Sequence, residues 1–453
     1  MDNNSSNIFN KWHKFIMHGK CYIVDPINLN FYSKRMDDNK DIFDDPTMDF
    51  FENEIKKHKH DYNTKYENPH FMQHQLYLQL STRCNMACKY CSHNELKAAP
   101  KVMGLETAKD VINRFVSQYD PDHLFLVDLT TTSEVFLYPD LMPLLKYINE
   151  LNKEKKLKIK PILITNGTVY SQEYMDLIKD EKDVISFSFD GPPEIHDKNR
   201  PLLNGKRSSH IILNNLKKYF KYKNAISGVN ATYTPDCLHF IERLEYLYSL
   251  GFRKIVIAPA RGDQDVHTEE EVKKVKDEYA KLADFLLDKI LKEDNYDYFY
   301  SILNKWNWLG KYLLRVALKE RVIQACDAGY NSYYVTTEGK VYPCRPFADS
   351  NSSLLNESYL NDISEEHKSA FREMKADSLN ICKDCWGRYY CGGECFYQYM
   401  KDNSNKPDER ICEIKLFLIE LSIYFWDRLI ENGKDIKSIM QKHLSEWEAI
   451  SMK

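Results

Sequence analysis

The sequence carries no excess of charge of either sign. Lys and Arg number 63 against 67 Asp and Glu in 453 residues, a net charge of −4, so no global field draws the chain to nucleic acid or to an anionic membrane. A long apolar run is also missing. The longest, from Leu416 to Trp426, is interrupted by Glu420 and is too short to cross a bilayer. The first residues, MDNNSSNIFN, offer neither the basic stretch nor the apolar core of an export signal. There is no internal repeat and no low-complexity segment. What is present is a folded soluble composition, 43% hydrophobic and 29% charged, long enough for about three domains at roughly 150 residues each.

Against this background twelve cysteines stand out. Three lie between Cys84 and Cys91, seven between Cys326 and Cys412, and only Cys21 and Cys237 stand alone. Without an export signal the expected compartment is the reducing cytoplasm, where clustered thiols are metal ligands more often than disulfides. Cys21 and Cys237 are expected to pack as small hydrophobes.

From about residue 75 to 293, apolar runs alternate with segments of helical periodicity. Strands are expected at 76–81, 123–129, 159–165, 184–190, 226–233 and 254–260, each followed by a helix. Six such units predict an α/β fold with a parallel sheet covered on both faces, open or closed as a barrel. Chemistry then belongs at the C-terminal strand ends. Residues 1–74 are expected to form a small N-terminal module, with KCYIVDPINLNFYSKR as two strands around a turn and DFFENEIKKHKHDY as a helix. A helical linker (294–325), a cysteine-rich domain (326–420) and C-terminal helices (421–453) follow. In the cysteine-rich domain SYYVTTEGKVYPC reads as a hairpin turning at Glu338-Gly339.

Directly after the first strand comes Ser81-Thr-Arg-Cys84-Asn-Met-Ala-Cys88-Lys-Tyr-Cys91, a C-x3-C-x2-C loop. Three thiolates can hold three irons of a [4Fe–4S] cube and leave the fourth open to a small molecule. Zinc, with His93 as a further ligand, is the alternative for this cluster alone.

This loop at the end of the first of six βα units resembles that of radical S-adenosylmethionine (SAM) enzymes, over roughly residues 75–293. The resemblance implies a partial (β/α)6 TIM-like barrel and a cluster on Cys84, Cys88 and Cys91. It also implies reductive cleavage of bound SAM to methionine and a 5′-deoxyadenosyl radical that takes hydrogen from carbon. Tyr90 matches the position that packs on adenine, with an ordinary loop aromatic as the alternative. Glu134, in Thr130-Thr-Thr-Ser-Glu134-Val, matches the acid that meets the methionine amino group, with a helix cap as the alternative. Thr132 and Ser133 replace two glycines of that pattern, and Val135 replaces its proline. Thr165-Asn166-Gly167 ends the third strand as it commonly does in this family. In Ser186-Phe-Ser188-Phe-Asp190-Gly191…His196-Asp197-Lys-Asn-Arg200, Ser188 would contact the ribose and Arg200 would pair with the SAM carboxylate. Asp263, Asp265 and His267 are general-base candidates just past the sixth strand.

The C-terminal seven are spaced Cys326-x12-Gly339-x4-Cys344, then Cys382-x2-Cys385-x5-Cys391-x3-Cys395, then Cys412. Two close pairs with long returns suit two metal sites in a module without a large core, a double zinc ribbon included. The whole string resembles the SPASM extension of radical SAM enzymes. That resemblance implies two auxiliary [4Fe–4S] clusters, one on Cys326, Cys344 and Cys395, the other on Cys382, Cys385, Cys391 and Cys412. With the first cluster this makes three. Sulfatase-maturating relatives have an eighth cysteine soon after the first of these seven, and here no cysteine lies between Cys326 and Cys344.

The implied function is modification of a ribosomally made peptide, with thioether crosslinking at a vacant cluster position as the leading reaction. Formylglycine formation in a sulfatase, carbon–carbon crosslinking, epimerisation and a degenerate peptide-binding scaffold are the alternatives. Implied partners are a peptide or protein substrate with a leader held by the N-terminal module, and a reductant such as flavodoxin or ferredoxin. Nucleic acid and membrane are not expected partners.

Overall fold

The computed structural model describes residues 12–36, 51, 74–91, 99–118, 121–130, 133–260, 268–350, 365–400 and 406–451. Three short strands come first, β1 (His13–Met17), β2 (Lys20–Asp25) and β3 (Asn30–Arg35), antiparallel in the order β1-β2-β3. The expected pair at 20–35 is there, and its turn is held by Asp25, whose Oδ1 accepts from the N–H groups of Ile27 and Asn28. The added strand β1 turns into β2 at His18-Gly19, both at positive φ (48° and 72°). That geometry suits a two-residue hairpin, but His-Gly is not the Asn-Gly or Asp-Gly pair that announces one. Of the helix expected after β3, residues 49–62, all but Phe51 lie outside the described residues.

The main sheet runs through β4 (His74–Leu78), β5 (Leu124–Asp128), β6 (Lys158–Thr165), β7 (Ile185–Ser188), β8 (Ile226–Tyr233) and β9 (Ile255–Pro259), all parallel and hydrogen-bonded in chain order. These are the six strands read from the sequence. Helices α1 (Leu105–Val116), α2 (Leu141–Lys155), α3 (Gln172–Ile178), α4 (Pro193–Asn199), α5 (Ser209–Tyr219), α6 (Phe240–Ser249) and α7 (Glu269–Glu293) follow the strands in turn. The longer ones turn an apolar stripe inward, as α1 does with Ala108, Val111, Ile112 and Phe115.

The sheet does not stop at six. The expected hairpin is present as β10 (Ser332–Val335) and β11 (Val341–Tyr342), and β10 adds in parallel to β4, so the sheet has eight strands in the order β11-β10-β4-β5-β6-β7-β8-β9. A first strand left as an edge would expose unpaired backbone groups, and the fully buried SYYV strand covers them. Its effect on the site is to bring the Cys326–Cys344 segment beside the loop that leaves β4. Tyr77 of β4 packs in one apolar cluster with Cys326, Cys344 and Phe347.

Helices α8 (Asp297–Ile302) and α9 (Trp308–Leu318) lead into the cysteine-rich part, and α10 (Glu409–Glu431) and α11 (Ile436–Ser451) close the chain. Helix α10 carries Cys412 near its start and, at its other end, holds the N-terminal sheet. Lys20 pairs with Asp427 and, at 2.8 Å, with Glu431, while Tyr22 and Ser33 each donate to Asp427 at 2.9 Å. His13 of β1 stacks on Trp386, ring centroids 3.7 Å apart, and meets Glu420 at 2.6 Å. Among the described residues no helix is long and apolar enough to cross a membrane.

Candidate functional site

The loop after β4 is pinned by its backbone, not by its thiols. Met86 bridges Leu202, Ala87 N–H donates to Pro201 O at 2.8 Å, and Lys89 N–H donates to Asn199 O at 2.9 Å. Cys84 and Cys91 are half-buried and Cys88 is buried, and all twelve cysteines are free of disulfides. The end of β6 reaches into this loop: Asn166 Nδ2 donates to Asn85 Oδ1 at 2.9 Å and stands 4.0 Å from Cys84 Sγ. That contact was not read from the sequence, where Thr165-Asn166-Gly167 was only a strand end. His93, Thr132, Asp263, Asp265 and His267 lie outside the described residues.

Glu134 sits 1% exposed at the mouth with its carboxylate turned into the protein. Its Oε1 accepts from Thr165 Oγ1 at 2.7 Å and from Phe136 N–H at 3.3 Å, and its Oε2 accepts from Asn166 N–H at 2.7 Å. Glu134 thus caps the one-turn helix Val135–Leu137 and ties the end of β5 to the end of β6. Burial pushes its pKa up to about 7. The fold therefore holds a proton that the unfolded chain releases above about pH 4.5, and stability falls as pH rises from there to about 7, by up to about 3 kcal/mol. Glu134→Ala leaves three donors without an acceptor, an expected loss of about 2–4 kcal/mol. Urea unfolding of both proteins across pH 5–8 checks this, with the slope expected to vanish in the variant.

Tyr90, Asp190 and Arg200 form one wall. Asp190, fully buried, accepts from Tyr90 Oη at 2.8 Å, from Arg200 Nε at 2.9 Å and from Thr232 N–H at 2.9 Å. The Arg200 guanidinium also lies 5.2 Å from the centre of the Tyr90 ring. One edge of the Arg200 fork is thus committed to an internal carboxylate. Burial raises the Asp190 carboxyl, but Arg200, Arg243 and His196 outweigh it and hold the pKa below the usual range. Arg243 was missed in the sequence; it is fully buried and donates to the carbonyls of Asp190, Cys237 and Leu238. Its only signal was Gly191, at φ +131°, where a Cβ would stand 2.9 Å from Arg243 Cγ. Ser188, at the end of β7, is half-buried, and among the described residues its hydroxyl makes no hydrogen bond.

The C-terminal thiols fall into two groups. Cys326 is raised by burial and then by Cys395 and Cys344, and Cys344 is pushed up to about 12 by burial and then by Cys395. Cys382 is pushed up to about 11 by burial, Cys391 and Cys385, and Cys412 is raised by burial with Cys391 and Cys382 contributing. Each group holds thiols close enough for their charged forms to repel one another. Two buried donors lie beside Cys391. Among the described residues Arg315 Nε has no hydrogen-bond partner and Tyr312 Oη has none but the nearby Cys391 thiol, which after burial raises the Tyr312 pKa. Both donors suit a sulfur-rich anionic group at the four-thiol set. Among the described residues no three His, Cys, Asp or Glu side chains close on a single metal-ion point.

A parallel α/β partial barrel that offers three thiols from the loop after its first strand, with thiol groups in a domain joined to the same sheet, defines the radical SAM class. Residues 78–270 match the Radical SAM superfamily, and residues 326–386 match SPASM, an iron-sulfur cluster-binding domain. The chain thus carries a radical SAM domain and a SPASM domain: it is an enzyme that uses SAM and iron–sulfur clusters. It is similar to the serine-type anaerobic sulfatase-maturating enzyme of Bacteroides thetaiotaomicron, 28% identical over 349 residues, 69% of this chain and 80% of that protein. It is also similar to the antilisterial bacteriocin subtilosin biosynthesis protein AlbA of Bacillus subtilis, 23% identical over 350 residues, 72% of this chain and 68% of that protein. Its fold resembles the solved structure of anSMEcpe with bound AdoMet and Cp18Cys peptide, TM-score 0.63 at 19% identity, covering 80% of this chain and 100% of that one.

Proposed function

We propose that this SPASM-type maturase modifies a ribosomally made peptide, with bond formation between a cysteine sulfur and carbon as its reaction. Cys84, Cys88 and Cys91 hold the cluster that binds SAM. Cys326, Cys344 and Cys395 hold a second, and Cys382, Cys385, Cys391 and Cys412 a third. Bound in these places, the clusters and SAM supply radical generation, a docking point for a substrate sulfur and an outlet for the remaining electron. The observation that carries the reading is the unequal pair of C-terminal sets, three thiols in one and four in the other, so that a substrate thiol has a place only at the first.

The chain's own residues shape the rest. Ser188 offers its hydroxyl to the SAM ribose, and Tyr90 and Arg200, braced by Asp190, present an aromatic face and guanidinium nitrogens to the same cofactor. Glu134, with both oxygens engaged inside the protein, acts on SAM through Asn166 and the backbone it positions. The N-terminal module, tied to α10 through Lys20 and Asp427, holds the leader peptide, and a flavodoxin or ferredoxin of the cytoplasm supplies electrons.

A second reading, oxidation of a protein Ser or Cys to formylglycine, is favoured by the similarity to a sulfatase-maturating enzyme. A new aldehyde in a treated Ser- or Cys-containing peptide supports it, whereas loss of a free thiol without an aldehyde supports the thioether. The shared core is tested without any peptide. After anaerobic reconstitution the protein is expected to hold about twelve irons, the sum of three cubes, and to release 5′-deoxyadenosine from SAM on reduction with dithionite. Full iron with no release would falsify the reading.

A further inference from the structure

The surroundings of the two C-terminal thiol sets differ in charge. Among the described residues, the charges around Cys326, Cys344 and Cys395 leave no positive surplus: Asp327 is matched by Lys305, and Asp349 pairs with Arg345 at 3.6 Å. Around the four-thiol set cations gather. Arg315 Nη1 donates to Tyr390 O at 2.7 Å and to Cys391 O at 3.3 Å, and Arg388 Nη1 donates to Cys385 O at 3.1 Å. Lys415 stands three residues after Cys412 on α10, so the two side chains share a face. Lys415 is 9% exposed, and its Nζ donates to both oxygens of Glu394, at 3.1 and 3.0 Å.

That last pair lies between the two sets. Glu394 Oε1 also accepts from the backbone N–H of Cys395 at 2.6 Å, so the carboxylate leans on a ligand of the three-thiol set. The ammonium leans toward Cys412 and Cys391. Three cations against Glu394 and the Arg388 partner Asp377 leave a positive surplus at the four-thiol set. Cluster potentials follow net charge, hydrogen bonds to the sulfurs and burial, and in a buried site an added positive charge favours the reduced, more negative cluster.

We propose that Lys415, with Arg315 and Arg388, sets the cluster on Cys382, Cys385, Cys391 and Cys412 at a higher reduction potential than the cluster on Cys326, Cys344 and Cys395. The C-terminal cluster is then the end point for an electron entering the pair. These are positioning residues and touch no reacting atom. The inference rests on the proposed ligand sets.

The test is an anaerobic redox titration followed by electron paramagnetic resonance. The reconstituted full chain carries Cys84, Cys88 and Cys91 as Ala, so that only the auxiliary signals remain, and Cys412→Ala assigns one of them. Two transitions are expected, with the Cys412-dependent one higher. Lys415→Met should lower that transition by about tenfold in the reduced-to-oxidised ratio, about 59 mV for one electron. Lys415→Arg should leave it in place. Arg388→Gln, which changes a partly exposed side chain, should lower it by a smaller amount and keeps the test open if Lys415→Met does not fold. Full iron with neither Lys415→Met nor Arg388→Gln moving the transition, or a Cys412-dependent transition that is the lower of the two, overturns the inference. Iron content insensitive to Cys412→Ala would instead overturn the ligand assignment.

Discussion

Replacing Cys84, Cys88 and Cys91 together by Ala is expected to abolish release of 5′-deoxyadenosine from SAM and to remove about four irons per chain, one cube of three. The loss should be complete, because Cys84, Cys88 and Cys91 are the three thiols that the loop after β4 offers. The fold should survive. The loop is fixed by backbone contacts of Met86, Ala87 and Lys89 to residues 199–202, and none of these needs a sulfur. Chromatography of the quenched reaction reads the first effect, iron assay the second and circular dichroism the third. Release at the wild-type rate in a protein with about eight irons would sink the assignment of the radical chemistry to this loop.

Asp190→Ala is expected to produce the largest loss of stability among single changes at the mouth. Asp190 is the acceptor for Tyr90, Arg200 and the Thr232 backbone, and its removal leaves the Arg200 guanidinium, 7% exposed, without its carboxylate. Breaking a buried pair from one side costs about 3–5 kcal/mol, a large part of the 5–15 kcal/mol that ordinarily holds a domain together. Chemical unfolding reads the size of the effect. Asp190→Asn keeps an acceptor oxygen and should lose less. Because the folded pKa of Asp190 is depressed, this contribution is present above the unfolded value of 3.8 and is lost as pH falls through the folded one. The wild-type protein should lose it in acid while the Asn variant does not. Equal stability of Asp190→Ala and wild type at neutral pH would show that Arg200 does not depend on this carboxylate.

Much of the fold was legible because its signals are local. Strand β8 has the residues read from the sequence, Ile226–Tyr233, and the other five parallel strands lie within two or three residues of the expected runs. Their apolar runs belong to a sheet covered on both faces. The thiol groups were legible for a related reason: ligands that close on one object leave fixed spacings along the chain, and Gly392 and Gly393, both at positive φ, permit the tight return between Cys391 and Cys395. What was not legible depended on partners far away in sequence. Whether Glu134 faces a ligand or the protein is decided by the Thr165 hydroxyl and the Asn166 N–H, some thirty residues on. Which edge of the Arg200 guanidinium is engaged inside the protein was decided only when the fold set its Nε 2.9 Å from Asp190.

The sequence by itself determined the class of enzyme through the resemblance of its motifs to those of radical SAM and SPASM proteins, and its cysteine spacings separate the loop after the first strand from the C-terminal sets. Only the tertiary structure decided how those sets are surrounded. It added β10 to the edge of the barrel sheet, docked the N-terminal sheet on the helix that bears Cys412, and drew Arg315 of α9 against Tyr390 and Cys391 of the four-thiol set. Spacing can be read along a chain because covalent geometry limits where near neighbours go. Charge around a buried site cannot, because it is summed over groups that meet only when the core closes.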